Sequence, residues 1–186
     1  MTVHIKAFLL MILIIIMTGC ALVPSNNIVG LKAHQLEACE LNGIWINGDS
    51  AIRIKVIDPT NGIVNITVFD ENEQDEKMNI QIMKGKSWLY YNWLFENTDK
   101  DKCFYWGRIQ ISENRIITWH PSNNAFSKAI KEGIIKGAIN KDDVTVTEAG
   151  SARLTDSSIN IVNMIESSDK SYFLWDDPII FTKLRK

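Results

Sequence analysis

Apolar residues run almost without a break from Ala7 to Ile16, behind a short basic start at His4 and Lys6 and ahead of the small residues Thr18 and Gly19. A run of that length is too short to span a bilayer, which takes about 20 apolar residues. The order basic, apolar, small is that of a secretory signal segment. Beyond Ala38 the hydrophobic period falls to two. Ile52-Arg53-Ile54-Lys55-Val56 and Val64-Asn65-Ile66-Thr67-Val68 alternate without error around the turn Asp58-Pro59-Thr60-Asn61-Gly62, which predicts two antiparallel strands with one buried and one wet face. A first strand is predicted at Leu41 to Ile46, turning at Gly48-Asp49. Further strands are predicted at Ile80 to Ile82, Trp88 to Phe95, Phe104 to Ile111 and Ile116 to Trp119.

The period changes to that of a helix after Pro121. Ser122 is a predicted N-cap, with Ala125, Phe126, Ala129, Ile130, Gly133 and Ile134 on one side and Lys128, Lys131 and Glu132 on the other. A short strand is predicted at Val144 to Val146. A second helix, capped by Thr155 or Asp156, runs to about Glu166 with Ile159, Val162 and Ile165 inward, and Asp176-Asp177-Pro178 turns the chain into a closing strand from Ile179 to Leu184. The predicted fold class is therefore mainly β (α+β). An antiparallel meander hides its edges by closing into a barrel or a strongly curved sheet, with two helices packed on it.

The chain has 186 residues and a formal charge of −2, with no dense run of Lys and Arg, so nucleic acid is excluded as a partner. The length left after the signal segment suits one domain.

Met17-Thr18-Gly19-Cys20 resembles the lipobox of bacterial lipoproteins. That resemblance implies cleavage before Cys20, acylation of its thiol and attachment to a membrane. Residues 1–19 are then a signal peptide, 20–38 a lipidated tether and 39–186 a single β-rich domain. Ala21 stands where members retained at the inner membrane carry Asp, which implies the outer membrane of the bacterial cell envelope. Gly43-Ile44-Trp45 resembles the Gly-x-Trp of lipocalins, whose Trp plugs the closed end of the barrel. By this likeness to small lipoproteins with a lipocalin-like domain and no assigned activity, a ligand would sit in the barrel mouth.

With Cys20 acylated, Cys39 and Cys103 are the remaining pair, read as a disulfide in an oxidising compartment and worth about 4 kcal/mol by chain entropy; the other reading is two separate thiols. His120 is the one histidine beyond the tether, and with Asp176 or Asp177 it forms the candidate catalytic set; the plainer reading is a helix-capping or surface histidine. There is no Gly-x-Ser-x-Gly, no His-Glu-x-x-His and no closely spaced cysteine pair, so no metal or cofactor is expected. The acidic run from Asp70 to Glu76 lacks the spacing of a calcium loop and reads as a solvated hairpin tip.

Trp88, Tyr90, Tyr91, Trp93, Trp106 and Trp119 are the candidate ligand-binding residues. Alternation sends Trp88, Tyr90 and Leu94 to one face and Leu89, Tyr91, Trp93 and Phe95 to the other. One set therefore fills the core while the other lies under a helix or forms an exposed binding surface. The functional expectation is a lipid-anchored envelope module binding an apolar ligand or a partner protein. The alternatives are an envelope hydrolase using His120 and a structural assembly factor of the outer membrane.

Overall fold

The computed structural model describes residues 23–48, 50–69, 76–97, 101–140, 151–168 and 171–184. Among the described residues eleven strands, β1 (Lys32–Ala33), β2 (Gly43–Asn47), β3 (Ser50–Asp58), β4 (Ile63–Val68), β5 (Glu76–Lys84), β6 (Leu89–Asn97), β7 (Asp101–Ser112), β8 (Arg115–Trp119), β9 (Gly137–Asn140), β10 (Ser151–Leu154) and β11 (Ile179–Lys183), accompany three short helices, α1 (Ala38–Leu41), α2 (Asn123–Lys131) and α3 (Ser158–Ser167). Strands β2 to β8 follow one another as an antiparallel meander, β11 inserts between β8 and β2, and β5 pairs with β6, which closes an eight-stranded barrel. β1 adds one strand along β5, and β9 pairs with β10 outside the barrel.

Alternation along the strands sorts side chains into two cores. Leu36, Leu41, Trp45, Ile52, Ile54, Val64, Ile82, Ile109 and Ile116 fill the inside of the barrel. Tyr90, Trp106 and Trp119 point outward from β6, β7 and β8 into a second core completed by Phe126 of α2, Ile161, Val162 and Ile165 of α3, and Leu154 of β10. The long excursion between β8 and β11 thus serves to cover one outer wall.

One end of the barrel is plugged. Trp45 is fully buried, its indole N–H donates to the Leu41 carbonyl at 2.9 Å, and the Lys183 ammonium lies 5.3 Å from its ring centre while donating to the Cys39 and Glu40 carbonyls. This is the role that the Gly-x-Trp resemblance implies.

Four features depart from the sequence expectation. The described part of the supposed tether is a packed strap: Val23, Ser25 and Val29 are essentially inaccessible, and Ser25 exchanges backbone hydrogen bonds of 2.9 and 2.7 Å with Phe104. Asn92, buried on β6, then takes the Val29 N–H at 2.7 Å and donates to the Val29 carbonyl at 2.9 Å, completing both backbone groups as a paired strand would.

The Cys39–Cys103 disulfide is absent. Cys39 stands on α1 at the plugged end, where Lys183 ties it to the turn at Asn114. Cys103 faces Phe95 near the opposite end of β7, about 30 Å of strand away.

The second long helix is capped by Ser157, whose hydroxyl accepts from Asn160, rather than by Thr155 or Asp156. A third helix, α1, precedes β2 where a strand was expected from Leu41. The first long helix keeps its Ser122 cap and ends where Gly133, at φ +70°, lets the Ile134 N–H reach the Ala129 carbonyl. Residues 1–20, most of the acidic run at 70–76 and the strand expected at 144–146 lie outside the described residues.

Candidate aromatic site at the far end of the barrel

The β6–β7 hairpin sets two inward rings opposite one another, since Trp93 pairs with Tyr105, and Phe95 follows two residues on. Ring centres lie 5.9 Å apart for Trp93 and Phe95, 5.7 Å for Trp93 and Tyr105, and 5.4 Å for Phe95 and Tyr105. All three rings are half-buried, unlike the sealed aliphatic core beneath them.

Below this cluster Tyr91 points inward, its hydroxyl 3.1 Å from His120 Nδ1 at the end of β8. Gly107 makes room for that ring, because a Cβ there would lie 2.6 Å from the Tyr91 hydroxyl and 2.5 Å from the Trp119 carbonyl. Burial raises the Tyr91 pKa, so the phenol stays protonated. Burial also lowers the His120 pKa from 6.5, against a smaller opposing pull from Asp177, so the imidazole is neutral at pH 7. The pair is an uncharged, mutually hydrogen-bonded group beneath the three rings.

The six aromatic candidates divide between the two faces. Tyr91 and Trp93 belong to the inward site, whereas Trp88, Tyr90, Trp106 and Trp119 line the outer core, where Trp106 meets Phe126 and Phe173 edge to face at 5.6 and 5.9 Å. Three outer rings enclose a cation of the chain itself: the Arg108 guanidinium carbon is 4.6 Å from the Trp88 ring centre and 4.7 Å from those of Trp119 and Trp175. Tyr90 donates to Glu166 of α3 at 2.9 Å, and the same carboxylate accepts the Lys86 and Ser87 amides, which fastens the helix to the β5–β6 turn.

Of the proposed catalytic set, His120 is bonded to Tyr91, while Asp176 and Asp177 are exposed in the turn before β11 and Asp177 reaches His120 through space only. Phe95 and Tyr105 complete the inward cluster and were not among the sequence candidates. The signal for them was their pairing position across the hairpin, which single-strand alternation does not reveal.

Among the described residues no group of three His, Cys, Asp or Glu converges to hold a metal ion. Comparison of the chain with protein-family models, with curated proteins and with solved structures gives no match.

Proposed function

We propose that this chain is a lipid-anchored binding module of the bacterial cell envelope that takes an apolar ligand into the aromatic end of its barrel. The observation that carries the reading is the asymmetry of the barrel interior. One end is sealed by Trp45, Leu36 and Leu41, and the other presents the half-buried Trp93, Phe95 and Tyr105 above the neutral Tyr91–His120 pair. Clefts with apolar walls and a few polar groups are the usual form of small-molecule sites. Acylation of Cys20 would supply the anchor, since two or more acyl chains give stable attachment.

The reading is tested by titrating the protein with a neutral fluorescent apolar probe and repeating the titration with Trp93→Ala and Tyr105→Ala. Each substitution is expected to weaken binding about tenfold or more, as loss of a stacked ring does. Saturable binding that neither substitution alters would place the ligand elsewhere and contradict the proposal.

A further inference from the structure

The strap fixes how far an acylated Cys20 can lie from the barrel. Val23 is buried at 1 % exposure, and Ser25 is bonded on both its N–H and its carbonyl to Phe104, near the start of β7. Two residues, Ala21 and Leu22, therefore separate Cys20 from Val23, and the three Cα–Cα steps reach about 10 Å at full extension. From Phe104 to Ser112, where β7 arrives at the plugged end, the strand runs about 26 Å. The free chain is too short to bring the plugged end to the surface in which the acyl chains sit.

From this we infer that the aromatic end of the barrel, on its β6–β7–β10 side, docks against the bilayer itself, so that a lipid surface is the partner of this rim. The inference rests on the proposed acylation of Cys20. The chemistry of the rim fits the partner. Leu94 projects outward at 42 % exposure, and Trp93 and Tyr105 at this end are the ring types that settle at a membrane–water boundary. Lys102 and Arg153 stand beside the strap, with Arg153 donating to Asn26 and to the Lys102 carbonyl. An apolar ligand would then pass between bilayer and barrel without crossing water.

The test uses the full chain, expressed and acylated, reconstituted in vesicles of phosphatidylethanolamine and phosphatidylglycerol. Nitroxide labels are placed at Leu94→Cys or at Ile57→Cys, the latter 54 % exposed at the plugged end, each in a Cys39→Ser background. Relaxation by oxygen, which concentrates in lipid, is compared with relaxation by an aqueous nickel chelate. The ratio of oxygen to nickel effect is expected to be several-fold higher at position 94 than at position 57. A Gly/Ser insertion of about 20 residues between Leu22 and Val23, adding about 25 Å of mean reach, should bring the two ratios together. Acylated, vesicle-bound protein with equal, water-like ratios at both positions would overturn the docking while leaving the anchor intact. A ratio at position 94 that the insertion leaves unchanged would overturn the short-tether argument. Mass spectrometry showing Cys20 without acyl chains would overturn anchor and docking together.

Discussion

Replacing Asn92 by Ala should loosen the strap that joins the chain's entry to the barrel. Asn92 is 2 % exposed and Val29 is inaccessible, so removing the amide leaves the Val29 N–H and carbonyl buried with no partner and no route to water. Each such group costs about 1 to 3 kcal/mol, which makes the pair worth about 2 to 6 kcal/mol. In a domain of this size a kcal/mol moves the melting temperature by about 2 to 4 °C, so Asn92→Ala should melt at least about 4 °C below the parent. Asn92→Leu, which restores volume without hydrogen bonds, should fall by a similar amount, because the loss is polar rather than steric. Thermal melts followed by circular dichroism give the shift, and hydrogen exchange at the Val29 amide locates it. Variants melting within about 1 °C of the parent, with the Val29 amide still protected, would show that the strap is held by something other than Asn92.

Four further outcomes follow from the same geometry. Gly107→Ala forces a Cβ to within 2.5 Å of the Trp119 carbonyl and should cost about 1 to 3 kcal/mol in urea unfolding; an unchanged midpoint would mean that Tyr91 does not sit against that strand. Stability should fall as pH drops below 6.5, because burial makes both His120 and His34 bind a proton less readily in the fold than in the open chain, and His120→Phe should remove His120's share of that limb. At lower pH a second loss should appear from Asp156, whose carboxyl burial alone would raise but which the Lys136 amide, the Asn160 side chain and the Ser157 amide together hold below 3.8; Asp156→Asn removes it. Reduction should leave the melting temperature unchanged, and a thiol reagent should modify Cys39 at once but Cys103 only on unfolding; a drop on reduction would restore the bridge.

The meander was legible because its signals are local. Ile52 to Val56 and Val64 to Val68 alternate cleanly, their partners lie a short turn away, and the observed register sets Ile54 opposite Ile66. Closure followed from the need to hide edges, and Ser122 capped its helix as its side chain dictates. What escaped depends on contacts distant in sequence. Val23 to Val29 carries no periodic pattern, and its burial is decided by Asn92 and Phe104, more than sixty residues on. The cysteines were paired by compartment and parity of number, which says nothing about which end of a barrel each occupies. The aromatic block was legible as two faces but not as to which face is covered, because Arg108 and Glu166 organise the outer one through α3 and the segment at Trp175.

The most direct test of the aromatic end as the ligand site is a nuclear magnetic resonance titration of the indole N–H signals with a neutral long-chain alcohol. The account predicts that the Trp93 signal shifts progressively and saturably, while those of Trp45 in the plug and Trp106 under α2 stay in place. Shifts confined to Trp88 and Trp175, or no shift at Trp93 at saturating probe, would contradict it.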